Sequence, residues 1–178
     1  MLASLKTRAE TRRKAGEIYG AVVAQARCPA FYESYGIADT PVGRYELLVL
    51  HLHLVVERLG KALPHGAPLP RMLVEAFVTD MDDSLRELGT GDTVVPRRVR
   101  RAAAGLYERS TAYKAALLAS DDELVRALTE GVYYDAPEPN AVKLAAYVRS
   151  AAACLDKLDD QAVLDGWLDF PDPTQEVT

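Results

Sequence analysis

The sequence predicts an all-α protein that folds as a single compact domain of six or seven helices. Alanine and leucine dominate the composition, and both cost little free energy to hold in helical geometry. Apolar residues recur at helical spacing, and no stretch alternates with period two for long enough to form a sheet. The length of 178 residues suits one domain. With 49 % hydrophobic and 26 % charged residues, the chain is neither disordered nor collagen-like.

The first predicted helix covers residues 3–26, with Ile18, Val22 and Val23 on one side and basic residues on the other. A break follows at Cys28 and Pro29, and residues 32–41 contain loop signals. The next helix, residues 42–62, is the most hydrophobic. Its polar residues form two nearly opposite stripes, so we expect neighbours on both sides and place this helix at the centre of the fold. The stripes are Arg44, His51 and Arg58, and Glu46, His53 and Glu57.

The second half of the chain alternates between helices and breaks. Residues 63–70 contain three prolines and His65 and form a loop. The next helix covers residues 71–88, and its inward apolar stripe ends at Leu88. Gly89 is expected to cap this helix in the left-handed conformation. A helix over 97–118 follows. Ser120 and Glu123 then form a capping box, which opens a short helix to about residue 130. After a break at 137–139, residues 141–157 form the last long helix, and the tail after Trp167 is extended or disordered.

Charge is unevenly distributed over the three segments that we distinguish: a basic N-terminal helix (1–28), a helical domain (29–165) and an acidic, proline-containing tail (166–178). The formal net charge is −5. Residues 1–120 carry 17 basic and 13 acidic side chains, whereas residues 121–178 carry 4 and 13. A basic face suited to an anionic surface would produce this polarity, and so would ordinary solvation of helices. The overall negative charge argues against DNA as a partner.

The compartment predicted from the sequence is a reducing cytoplasm. Cys28 and Cys154 lack the spacing of metal ligands and are expected to be free thiols. No apolar signal segment follows the N-terminus, and the longest apolar run, residues 47–56, is too short to span a bilayer. An organelle transit peptide is the alternative interpretation of the arginine-rich start, which Glu10 and Glu17 weaken.

Two patterns suggest metal sites, but only one has suitable geometry. His51 and His53 lie two residues apart, so on a helix their rings point about 200° apart and cannot share an ion. Asp80, Asp83 and Glu87 do share a helical face, as in helical enzymes that bind magnesium diphosphate. No second acidic helix of similar spacing is present to complete such a site. The structural alternative is a solvated face with an Asp82–Arg86 pair.

Four arginines open the helix predicted for residues 97–118. They lie where the helix dipole is already positive, so they are not placed to stabilise the helix. They repel one another unless an anion lies opposite, either an acidic part of the same chain or an external phosphate surface. These residues are Arg97, Arg98, Arg100 and Arg101.

A series of motifs between residues 35 and 96 resembles the ubiquinol–cytochrome c chaperone family. The series comprises YGIADTPVGRYE from Tyr35, His51, Arg58-Leu, FVTDMDDSLRE from Phe77, Gly91-Asp92 and Val95-Pro96. The resemblance covers roughly residues 30–160. It implies a non-enzymatic assembly factor for the cytochrome bc complex that looks after newly made cytochrome b, or another subunit, near the ribosomal exit and the inner membrane. No cofactor is implied.

The resemblance also implies roles for two sets of charged residues. The acidic face becomes part of a structural polar network formed by Asp39, Arg44, Asp80, Asp82, Arg86 and Asp92. The basic first helix, with Arg12 and Arg13, and the four arginines at 97–101 become candidates for contact with membrane headgroups or ribosomal RNA. The expected location is peripheral to the cytoplasmic face of the inner membrane, or the matrix side in mitochondria.

Two further functions remain open at this point. A metal-dependent helical enzyme acting on a diphosphate or isoprenoid substrate would need a second carboxylate group facing Asp80 and Asp83 across an open pocket. A structural helical module that only scaffolds other proteins would need neither that pocket nor a client.

Overall fold

The computed structural model describes residues 2–64, 67–134 and 139–175, with side chains from residue 7 onward. Within these ranges the chain forms six long helices, two one-turn helices and no strands, so the all-α prediction is confirmed. The helices are α1 (Leu2–Ala26), α2 (Ala30–Ser34), α3 (Pro41–Ala62), α4 (Pro68–Glu87), α5 (Val95–Leu118), α6 (Asp121–Val132), α7 (Asn140–Lys157) and α8 (Asp160–Leu164).

Helix α3 is the centre of the domain, as predicted. The Thr40 hydroxyl caps it by accepting a hydrogen bond from the backbone N–H of Gly43, and Pro41 occupies its first turn. Every side chain from Glu46 to Val55 is buried. Helices α1, α4, α5, α6 and α7 all pack against α3, and within this series each helix also packs against the next one. The burial of α3 on several sides follows from its two apolar flanks.

The N-terminal helix belongs to this single domain. Ile18 and Val22 are fully buried against α3 and α4, in agreement with the predicted apolar side of the helix. Helix α1 runs parallel to α4, because Thr7 lies near Pro68 whereas Tyr19 bonds Asp80. None of the described helices has the combination of length and apolarity that is needed to cross a membrane.

The predicted helix boundaries differ from the observed ones by no more than three residues, and two short helices were not predicted. Helix α4 begins at Pro68 rather than at residue 71, because prolines are accepted in the first turn, where backbone N–H groups have no helical partner. Helices α2 and α8 contain five residues each, too few to show a period. The Ser120 hydroxyl caps α6 as expected, but Glu123 pairs with Arg126.

The predicted inward stripe of α4 is wrong at its C-terminal end. Phe77 is fully buried and Met81 is partly buried, but Leu88 is 70 % exposed. The reason is that the helix ends at Glu87 and Leu88 occupies the cap position, where the chain turns away from the core.

The C-terminal tail has no regular secondary structure from residue 167 to 172, forms a turn at residues 173–175 and lies against the core. The ring centroid of Phe170 is 5.4 Å from that of His51, the Tyr35 hydroxyl donates a 3.1 Å hydrogen bond to the carbonyl of Pro173, and Pro173 is buried. The predicted disordered alternative therefore does not apply to these residues. His65 of the predicted loop, residues 137 and 138 of the predicted break and residues 176–178 of the tail lie outside the described residues.

Candidate functional site

The arginine surface, which we define as Arg97, Arg98, Arg100 and Arg101, lies on the first turns of α5. Val95 is buried beneath it and fixes the start of the helix. All four arginines are exposed. None of them forms an ion pair in the described part of the chain, where twelve other pairs occur. Arg98 Nη1 donates a 3.4 Å hydrogen bond to Thr90 Oγ1, so the surface adjoins the preceding turn.

The turn between α4 and α5 is held in one conformation by three interactions. Gly89 adopts φ +74°, which costs glycine little because it has no Cβ. The N–H of Gly89 bonds the carbonyl of Arg86, and the N–H of Thr90 bonds the carbonyl of Leu85, the pattern of a Schellman motif. Arg86 Nη1 also donates a 2.6 Å hydrogen bond to Asp92 across the turn. Leu88 is therefore exposed on a fixed turn that also contains Thr90, the hydrogen-bond partner of Arg98.

The three carboxylates of the predicted metal cluster differ in their surroundings. Asp80 Oδ2 accepts a 2.7 Å hydrogen bond from the Tyr19 hydroxyl, which ties α4 to α1. Burial and this bond raise the pKa of the Tyr19 hydroxyl. Asp83 and Glu87 are exposed. Among the described residues, no group of three or more histidine, cysteine, aspartate or glutamate side chains is placed to hold a metal ion.

The residues predicted to form one polar network lie in three separate groups. The shortest hydrogen bond in each group is 2.6 or 2.7 Å. Two of the groups lie on the surface, and the hydrogen bond from Arg44 lowers the pKa of the exposed Asp39. The second group contains the predicted Asp82–Arg86 pair and fixes the turn between α4 and α5. The groups are Asp39 with Arg44, Arg86 with Asp82 and Asp92, and Asp80 with Tyr19.

Glu46 forms the most buried charged cluster of the described chain. Its side chain is 2 % exposed and accepts hydrogen bonds of 3.1 and 3.2 Å from Arg109 on α5. The Tyr134 hydroxyl donates a third, of 2.8 Å, and Tyr134 has a left-handed backbone with φ +54°. Burial, then the bond to Glu46, raises the pKa of Tyr134 to about 12. Neither Arg109 nor Tyr134 is predictable from periodicity; a buried acid requires a partner but does not locate it.

The two histidines of α3 lie on different sides of the helix, as their spacing predicts, and both are buried. His51 Nδ1 is 2.8 Å from the carbonyl of Leu47, and its Nε2 is 2.9 Å from the Tyr147 hydroxyl. His53 packs against the ring of Tyr113, and neither His53 Nε2 nor the Tyr113 hydroxyl has a hydrogen-bond partner among the described residues. Burial lowers the pKa of both histidines to about 4, so both are neutral at pH 7.

A surface groove of about 1050 Å³ runs along α1 and α4, and Arg12 borders it. Its lining combines apolar side chains, such as Val74 and Val78, with polar ones at its edges. Arg13 pairs with Glu17 on the outside of α1. Because α1 and α4 are parallel, Arg12 and Arg13 lie near the beginning of α4, whereas the arginine surface adjoins its end. The structure therefore does not bring the two predicted basic groups together.

Comparisons with known proteins give two matches. The family described as ubiquinol-cytochrome C chaperone matches residues 33–170. The crystal structure of the Cbp3 homolog from Brucella abortus is similar over 99 % of this chain and 99 % of that chain, with 36 % sequence identity and a TM-score of 0.85. No curated protein matches this chain.

Proposed function

The chain belongs to the ubiquinol–cytochrome c chaperone family, and from this premise we propose that it is a non-enzymatic assembly chaperone for the respiratory cytochrome bc complex. The observation that carries the proposal is the agreement with the Cbp3 homolog along 99 % of both chains, which includes the helix α1 that precedes the matched residues 33–170. A chaperone acts by binding and releasing a client, so its function depends on surfaces rather than on reacting groups.

The proposed client is newly made cytochrome b, or another subunit of the bc complex. A membrane-protein client exposes apolar segments before assembly, and covering them prevents aggregation. The groove along α1 and α4 supplies apolar side chains at the surface, and the rigid bundle beneath it holds their positions. We place the protein at the periphery of the cytoplasmic face of the inner membrane, or at the matrix side in a mitochondrion.

The two basic groups are proposed to contact anionic partners, for which membrane headgroups and ribosomal RNA are the candidates. Arg12 and the arginine surface are exposed and form no ion pair within the described chain, so their charges are available to such a partner. Arg13, by contrast, has to exchange its contact with Glu17 for a new one.

The test is recovery of the client from living cells. The full-length protein, carrying an affinity tag, is isolated from detergent-solubilised membranes after a short pulse of labelled amino acids. We expect labelled cytochrome b to be enriched over an unrelated polytopic membrane protein of similar abundance. The enrichment should decline during a chase as the complex assembles. Enrichment of a different bc subunit alone would reassign the client, and enrichment of no bc subunit would refute the assembly role.

A further inference from the structure

We propose that the arginine surface and Leu88 together form a docking surface for an anionic lipid bilayer. The inference deepens the proposed function, since it names the partner of one basic surface of the assembly chaperone. It can be tested with purified protein and lipid alone, without any client. The two proposals can therefore fail independently.

The first argument is the absence of an internal counter-charge. In the described chain, most of the other arginines and lysines pair with carboxylates. Arg86, at the turn between α4 and α5, pairs with both Asp82 and Asp92. Asp92 and Glu108 are the nearest acidic residues in sequence. Asp92 is already bonded to Arg86, and Glu108 forms no ion pair with these arginines. Four guanidinium groups within five residues repel one another, and they gain most from a surface that presents many anions at once.

The second argument is the exposed Leu88, which lies two residues before Thr90, the hydrogen-bond partner of Arg98. Leu88 is 70 % exposed and projects from a turn that the left-handed Gly89 and the Arg86–Asp92 bond hold in place. Peripheral proteins bind bilayers by combining cations at the headgroups with apolar side chains inserted below them. An RNA surface would reward the arginines but would provide no apolar layer for Leu88. The combination favours a lipid surface over RNA.

The third argument is the charge of the rest of the molecule. The formal net charge of −5 repels the whole protein from an anionic bilayer, and residues 121–178 carry all of the excess acid. Attachment then requires a basic part of the surface, such as the arginine surface, to face the lipid. Binding in spite of the net charge would therefore identify a localised contact rather than a general attraction.

The experiment measures co-sedimentation of the full-length protein with phosphatidylcholine vesicles, with and without about one-third phosphatidylglycerol, at low and high salt. We expect binding only to the anionic vesicles at low salt, because salt screens exposed charges. The variant Arg97→Glu/Arg101→Glu should bind at least about tenfold more weakly. The matched control is Lys114→Glu/Arg126→Glu, which makes the same change in net charge at exposed residues of the distant end of α5 and of α6 and should bind far better than the first variant.

Insertion of residue 88 is measured separately with Leu88→Trp in a Trp167→Phe background. Its fluorescence should shift to shorter wavelength on anionic vesicles, whereas Trp167 of the parent, in the tail beside α8, should not shift. Failure of the parent to bind anionic vesicles at low salt, or equal loss in both charge variants, would overturn the proposal. So would binding to RNA but not to vesicles. If Arg97→Glu/Arg101→Glu does not fold by circular dichroism, Arg97→Gln/Arg101→Gln replaces it and the same comparisons apply.

Discussion

The buried histidines of α3 make the stability of the protein depend on pH. The pKa of His53 is lowered to about 4 by burial, whereas in the unfolded chain it is near the ordinary 6.5. Between these values the unfolded state binds a proton that the folded state excludes. The stabilisation is therefore complete above pH 6.5 and is lost as the pH falls toward 4, by up to about 1.4 kcal/mol per pH unit for each such histidine.

We predict that His53→Met makes the free energy of unfolding less dependent on pH between 6.5 and 4.5. Methionine fills similar space and leaves no buried Nε2 without a partner. Urea unfolding at several pH values gives the slope. Leu52→Met, a buried change on the same helix without a titrating group, should keep the slope of the parent. An unchanged slope in His53→Met would contradict the neutral, buried state of this histidine.

Glu46 should depend on Arg109 more than an exposed acid depends on its partner. Arg109→Met leaves the Glu46 carboxylate buried with only the Tyr134 hydroxyl as donor, at an expected cost of about 3–5 kcal/mol. The double variant Glu46→Gln/Arg109→Met removes the uncompensated charge and should recover a large part of that loss. Chemical denaturation of the single and double variants gives the coupling. Strictly additive effects would show that the pair does not interact.

At the residue scale, the sequence predicts burial better than it predicts partners. The two polar stripes of α3 indicate that His51 and Glu46 lie inside the bundle, since apolar residues flank them. Tyr147, the partner of His51, lies 96 residues further along the chain, and Arg109, the partner of Glu46, lies 63 residues further along. Local periodicity contains no information about such distant contacts.

Within α3, two glycines should respond in opposite ways to replacement by alanine. A Cβ on Gly43 would lie 2.0 Å from the backbone carbonyl oxygen of Ala38, so Gly43→Ala should destabilise the protein by about 1–3 kcal/mol. Gly60 is exposed, with open space around its Cβ position, and Gly60→Ala should stabilise the same helix by about 0.5–1 kcal/mol. Thermal melts of the two variants provide the comparison. Equal shifts would refute the close approach at residue 43.

The hydrogen bond between Tyr19 and Asp80 should act as a structural link between α1 and α4. We predict that Asp80→Asn lowers the free energy of unfolding by about 0.5–1.5 kcal/mol, because the bond loses its charged acceptor. The exposed Asp83→Asn is the control and should have little effect. Millimolar Mg²⁺ should not shift the melting temperature of the parent. A saturable rise with Mg²⁺ would instead indicate specific binding to the folded state.

At the element scale, long helices with a repeated apolar side are predictable and one-turn helices are not. The prediction for α3 is correct to within one residue at its start and matches its end. Helix α2 is missed because its five residues follow Pro29 and contain no second turn to establish a period. The exposed position of Leu88 is missed because Leu88, three residues after Leu85, fits the spacing of the apolar stripe although the helix has already ended at Glu87.

On the scale of the whole molecule, the tail holds α1, α3 and the region of α2 together. Phe170→Ala removes the ring that packs on His51 and should cost about 1–2 kcal/mol, since Phe170 is only partly buried. It should also speed proteolysis after residue 166. Trp167→Ala is the control, because Trp167 is 72 % exposed and should change stability by less than about 0.5 kcal/mol. Equal proteolysis of both variants would contradict an anchoring role for Phe170.

The sequence predicts the existence of the basic surface but not its neighbours. The four arginines at the start of α5 are evident from the sequence. Their exposure follows from the apolar residues Val99 and Leu106, which mark the side of α5 that faces the core. Whether a carboxylate would neutralise them depends on how α4, α5 and α6 pack. That arrangement results from many contacts between distant residues. The position of Arg12 also depends on such packing, because its distance from the arginine surface follows from the parallel arrangement of α1 and α4.

The contacts between α1 and the tail also determine when the domain can be completed during synthesis. Lys14 and Asp165, which form a 2.7 Å ion pair, are 151 residues apart. At the usual elongation rates of about 5–20 residues per second, roughly 8–30 s separate their translation. Through that interval α1 can pack only on α3 and α4, because Tyr147 and Pro171, which bond Gln25, are also made late. A nascent chain that stalls before residue 165 thus displays a first helix whose final partners do not yet exist.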